Sequence, residues 1–239
     1  MEPYLRHLEN LTSGVRDYAK GSGPEAALEL RIEALVQVIV RRYGYGGTED
    51  VFDDLDAANL MRVIDHRSGL PVAIGILFIA TARAQGWTAT GLDFPGRFLV
   101  RLDAGGQRII IDPFAGGAVL DAPDMRAMFK AIAGNHVELT PGHYRDLSNR
   151  GILLRLQGNI KTRLLRQKQW DEAAQTIETM ALFAPGHTDL WREAGLLYAR
   201  LERNRDAVRM LEEYMRRTGA EDARYKTSVL LQELQARLN

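Results

Sequence analysis

The chain contains no cysteine in 239 residues. That absence excludes disulfides, thiolate metal centres and thiol nucleophiles together, and it suits a reducing compartment. An excess of charge is also missing, because Lys plus Arg and Asp plus Glu number 31 each. No net field draws the protein toward nucleic acid or an anionic bilayer, so neither is expected as a partner. Long apolar runs are lacking too. The longest uncharged one begins at Leu70 and stops at Arg83, short of the roughly 18 residues that a membrane span requires. The opening MEPYLRHLENL carries charges where a secretory segment needs an apolar middle, and a cytoplasmic location is expected. His136 and His143 have no carboxylate or third histidine at ligand spacing, and His7 and His187 are isolated. All four read as surface or loop residues, with no metal or cofactor expected.

What is present is the composition of an ordinary globular protein, 46% hydrophobic and 26% charged, enough for one large domain or two small ones. Residues 24–42 place Leu28, Ile32, Leu35, Val36 and Ile39 on one helical face, with Pro24 suited to the first turn and Gly44 to the stop. The loop Gly44–Gly47 lacks the pattern of a phosphate cradle and reads as a flexible turn. A second helix is expected over Asp53–His66, with Leu55, Leu60 and Val63 inward. Its end, Asp65-His66-Arg67-Ser68, has the residue types of a triad, but sequence neighbours do not converge as a triad must. It reads as a polar helix terminus. The helix from Leu70 to Arg83, with Pro71 in its first turn, is apolar all round and therefore central.

The period then changes. Phe98, Val100 and Leu102 alternate with Arg97, Leu99 and Arg101, a turn at Asp103–Gly106 follows, and Arg108–Asp112 returns. This predicts an antiparallel hairpin on the buried helix. From about Asp124 onward the chain reads as helical throughout. Shifting Trp170–Ala173 by 34 residues lands on Asn204–Ala207, and Ile177 falls on Leu211. That is the period of the tetratricopeptide helix pair. Small residues at Ala173, Gly195 and Ala207 admit close helix approach, while Trp191 and Tyr198 fill wider gaps. A last helix, Asp222–Leu238, is expected to seal the end with Tyr225, Val229 and Leu230.

Taken in order, RRYGYGG, NLMRVIDHRSGLPVAIGILF, FPGRFL, IIIDPFAGG, LRLQGNIKTRLL and LEEYMRR resemble the SirB1 family, a transglutaminase-like domain joined to tetratricopeptide repeats. The family is described as having a proposed role in regulating bacterial gene expression, and a eukaryotic relative is an F-box substrate receptor. The resemblance implies an α+β class: a papain-like domain with a small antiparallel sheet on a buried central helix, then an all-α repeat region. The expected bounds are 1–122, a helical connector over 123–149, and repeats over 150–239.

Cysteine-dependent acyl transfer needs a thiolate at a helix start, a histidine base and an orienting acid. The resemblance puts the nucleophile's place at Val72, beside Ala73, and the base at Arg97, where SirB1-like sequences have histidine in FPGHFL. The orienting acid is Asp112. Neither an aliphatic side chain nor a guanidinium, which has no acceptor, can fill the first two roles. Arg97 and Asp112 are expected instead to form a structural ion pair, ahead of a second reading in which Arg97 anchors a ligand carboxylate. Phe94-Pro95-Gly96 and Pro113-Phe114 are placed to wall a shallow groove.

The function expected is a non-catalytic, regulatory protein-interaction adaptor. A protein or peptide partner would dock on Asn159, Lys161, Arg163, Arg192, Tyr198 and Arg200, on the first helix of each pair. The enzyme alternative is a hydrolase or acyltransferase with Asp112 as base and Arg97 stabilising charge. A subunit of an assembly, with no ligand, is the third reading.

Overall fold

The computed structural model describes residues 1–21, 25–219 and 221–238, apart from the side chains of 49 and 221–223. Two compact units divide after Ile152. No helix among the described residues is long and apolar enough to cross a membrane.

The first unit is built on α4, Pro71–Ala84. Pro71 opens it because a first-turn residue has no intrahelical donor to lose. Val72, Ala73, Ile74, Leu77, Phe78, Ile79 and Ala82 are all buried, so apolar side chains surround the axis as a central helix requires. The strands that follow are β1 (Thr88–Phe94), β2 (Arg97–Ala104), β3 (Gln107–Asp112) and β4 (Ala118–Leu120). With β5 (Arg145–Leu147) they form one antiparallel sheet in the order β4-β3-β2-β1-β5. The expected hairpin is β2–β3, pairing Val100 with Ile111 and Ala104 with Gln107.

The two faces of the sheet differ in what covers them. Phe98 lies so close to α4 that a Cβ on Gly75 would come within 2.3 Å of its ring. On the opposite face Leu92, Phe94 and Leu99 pack with Met125 and Phe129 of α5, Ala122–Ala133. Asp121 caps α5 by accepting from the Asp124 amide, and Asp124 accepts from the Asp121 amide in return. Residues 124–149 are therefore not wholly helical, since β5 lies among them and joins β1.

One helix was not expected, and two further expectations are corrected. The chain begins with a helix, α1 (Glu2–Tyr18), whose buried Leu11 and Val15 give too sparse a stripe to stand out in the sequence. The 24–42 helix is α2 (Leu28–Leu35) continued as a π-helical segment, Val36–Arg42, and Pro24 lies outside the described residues. The Asp53–His66 helix is broken. Asn59 is extended and its side chain accepts from the Met61 amide at 3.0 Å, which makes it the cap of α3, Leu60–His66.

The second unit contains most of α6 (Asn149–Arg166), then α7 (Trp170–Phe183), α8 (Thr188–Arg200), α9 (Asn204–Arg217) and α10 (Glu221–Ala236). Its core joins Ile177, Trp191, Ala194, Tyr198, Ala207 and Leu211. A Cβ on Gly195 would meet Leu211 at 2.6 Å, so α8 and α9 approach through a glycine. The last helix turns a different face inward from the one expected. Leu231 and Leu234 are buried and Leu230 is partly so, whereas Tyr225 and Val229 are exposed. Positions 227, 231 and 234 share one side, at the helical spacing of three and four residues.

Candidate functional site

Pro95 and Gly96 close the turn between β1 and β2, with Phe94 paired to Arg97 and Gly96 at φ +68°. Proline followed by glycine suits a turn whose second central residue is left-handed. The turn delivers Arg97 to the start of β2, and Asp112 ends the neighbouring strand. Arg97 Nη1 donates to Asp112 Oδ2 at 2.8 Å. The other carboxylate oxygen, Oδ1, accepts from the amides of Phe114 at 3.0 Å and Ala115 at 3.2 Å. Asp112 thus fixes the chain as it leaves the sheet, and its side chain is 3% exposed against 45% for Arg97.

A cleft of about 170 Å³ opens here, lined by Phe52, Pro71, Gly96, Arg97, Asp112 and Phe114. The rings of Phe52 and Phe114 stand 5.6 Å apart at 54°. Val72 is 1% exposed and Ala73 is fully buried; neither lines this cleft. Phe114 is held from below by the Gly44–Gly47 segment, which is not a free turn. Tyr45 is buried, Gly46 bridges to Ser68, and a Cβ on Gly47 would overlap the Phe114 ring at 1.9 Å. Of the aromatic residues near the motifs, Phe94 and Phe98 are core, while Phe114 walls the cleft.

Sequence reasoning missed a polar cluster behind that segment. Tyr45 Oη lies 2.7 Å from His7 Nε2, and Arg67 Nη1 reaches both, at 2.5 Å to Tyr45 and 2.9 Å to His7. His7 is thus not an isolated surface residue, and Arg67 is not a plain helix end. The available signal was Arg67 itself, left-handed at φ +58°, but a conformation of that kind is not written in residue type. His143 ties back to the Thr140 amide and stacks against Phe129. No group of three or more His, Asp or Glu side chains among the described residues could hold a metal ion.

The six candidate contacts on the repeats are sorted by burial. On α6, Asn159 is partly buried, Lys161 donates to Glu193 at 2.9 Å, and Arg163 is buried. On α8, Tyr198 is 1% exposed and donates to Glu178 at 2.7 Å. Arg163 is thus a packing residue, corrected from a surface contact, and Tyr198 takes the gap-filling place expected of it and not the docking place also expected. Arg192 is partly buried, and among the described residues no acceptor reaches its Nε. Arg200 is exposed and lies 4.8 Å over the Trp170 ring. Burial opposes ionisation of Glu178, but the hydrogen bonds from Arg209 and Tyr198 outweigh it and hold the carboxyl below its usual range. Burial, then Glu178, push the Tyr198 hydroxyl up.

Residues 2–158 match the family model described as the transglutaminase-like superfamily, and residues 160–232 match a tetratricopeptide-repeat model. A UPF0162 protein of Xylella fastidiosa is 27% identical over 87% of this chain and 75% of its own length. A UPF0162 protein of Vibrio cholerae is 26% identical over 74% of this chain and 66% of its own. Protein SirB1 of Salmonella typhimurium is 24% identical over 72% of this chain and 64% of its own length. No solved structure matches the chain.

Proposed function

The chain belongs to the transglutaminase-like superfamily, and we propose that it is a non-catalytic member, a regulatory adaptor that binds a partner protein. The carrying observation is chemical. Covalent acyl transfer needs a nucleophile and a base within reach of one another. At the places the SirB1 likeness assigns to them stand Val72, with no lone pair, and Arg97, whose guanidinium donates hydrogen bonds but accepts none. The third member, Asp112, is held by Arg97 and by two backbone amides, so its carboxylate serves the fold. The same contacts count against the hydrolase alternative, because a carboxylate that is 3% exposed and already accepts from a guanidinium and two backbone amides is a weak base for activating a water.

Binding is assigned to the repeats. Tetratricopeptide arrays stack helix pairs into surfaces that take up peptides and helices. Arg200 on the Trp170 ring and Arg192 with its unmatched donor are the two contacts that favour this reading most. The partner is then a peptide or helix offering acceptors to both guanidinium groups.

Two measurements test the proposal together. Purified protein incubated with peptide, glutamine-amide and ester panels should show no turnover above that of an Asp112→Asn variant. In affinity capture from the native cell, Arg192→Glu plus Arg200→Glu should lose a partner that the wild type retains, with unchanged circular dichroism. Turnover abolished by Asp112→Asn, or undiminished capture by the double variant, would overturn the respective half.

A further inference from the structure

The cluster of His7, Tyr45 and Arg67 has a geometry that favours a neutral imidazole. Arginine has donors only. Arg67 Nη1 donates to Tyr45 Oη, and the tyrosine turns its own hydrogen to His7 Nε2, 2.7 Å away. The same guanidinium nitrogen lies 2.9 Å from Nε2. With Nε2 as acceptor and the ring neutral, all three groups are satisfied at once. A proton on Nε2 would set N–H against N–H and place a second positive charge beside Arg67.

The groups around His7 offer that second charge little relief. Tyr4 on α1 gives its hydroxyl to Asp65 of α3 at 3.1 Å, and Arg62 of α3 stands near the same tyrosine. Tyr43 meets the His7 ring edge-on at 5.2 Å, with Arg42 and Arg67 each 5.8 Å from its centroid. Of these cations Arg67 is the one within hydrogen-bond distance of His7, Arg62 is itself paired with Asp56 at 3.8 Å, and the nearby carboxylate of Asp65 is engaged by Tyr4. Burial first, and then the Arg67 charge, push the imidazole below its ordinary value of 6.5.

We propose that His7 is a pH-sensitive latch between α1 and the Tyr43–Gly47 segment, which closes when neutral and opens when protonated. The opening reaches the cleft, because Gly47 of that segment underlies Phe114.

The test uses the intact chain. The His7 ring carbons are followed by NMR, and amide exchange at Tyr45 and Gly46, corrected for intrinsic rates, is followed from about pH 8 to about pH 5. Those amides are bonded to Ile39 and Arg67 carbonyls in the closed segment. The expected result is His7 titration below the ordinary value and a fall in protection of about tenfold or more in step with it, with α4 amides unchanged. His7→Gln retains an acceptor and removes the charge, so its protection should be the same at both ends. Titration at or above the ordinary value overturns the latch, as does parallel loss of protection in wild type and His7→Gln. Should the variant misfold, the wild type still decides: the latch fails if the opening midpoint and the His7 titration do not coincide.

Discussion

Arg97 and Asp112 form one ion pair with two unlike halves: the arginine side chain is 45% exposed and the aspartate 3%. The cation stands nearly half open to solvent, whereas the anion is enclosed and held by protein donors. Asp112→Ala should therefore cost about 2–4 kcal/mol, since it strands three donors and empties a buried site. Arg97→Gln, which keeps one donor, should cost only about 1 kcal/mol. Urea unfolding of the two variants measures both. Equal losses would mean that the salt bridge, and not the turn at Phe114–Ala115, is what Asp112 holds.

Glycines without room for a side chain can be set against one with room. Gly75→Ala drives a methyl toward Phe98, and Gly195→Ala drives one toward Leu211, so each should destabilise by about 1–3 kcal/mol. Gly158, in α6, has nothing within 4 Å of its would-be Cβ. Its change to alanine should be neutral or stabilising by up to about 1 kcal/mol. Thermal melts of the three variants give the order, and a destabilised Gly158→Ala would contradict the open space there.

The second unit should weaken in acid through Glu178. Its carboxyl is held below the usual range in the folded state, so the unfolded chain binds the proton more readily. Stability from this group is complete above the ordinary carboxyl value and drains as pH falls through and below it. Denaturant midpoints of wild type and Glu178→Gln should therefore differ near neutrality and converge toward about pH 3. Tyr198→Phe, which removes one donor to that carboxylate, should cost about 1–2 kcal/mol at pH 7.

How much of this was legible depended on whether the cause was local. The apolar circumference of Leu70–Arg83 announced a central helix, and the alternation around Val100 announced a hairpin, because burial writes itself as period. The Arg97–Asp112 pair followed from the SirB1 resemblance, which singled out the two positions, and from the opposite charges that stand there. The three-residue strands β4 and β5 could not, for pairing with β3 and β1 defines them and their own pattern does not. Asn59 looked like an interior helix residue until its side chain was seen to cap. His7, Tyr45 and Arg67 are brought together only by tertiary structure, and Tyr198 showed its polar end in sequence while its ring decided its place.

The two three-residue outer strands also bear on what the sheet does in crowded solution. β4 covers only Ile110–Asp112 of β3, and β5 only Gly91–Asp93 of β1. The uncovered start of β3 carries Gln107 and Arg108, both exposed. Brief outer strands and a polar start to β3 make these margins poor templates for a strand from a second molecule. A fold with an open sheet in this way avoids growing into a fibre by rationing its borders.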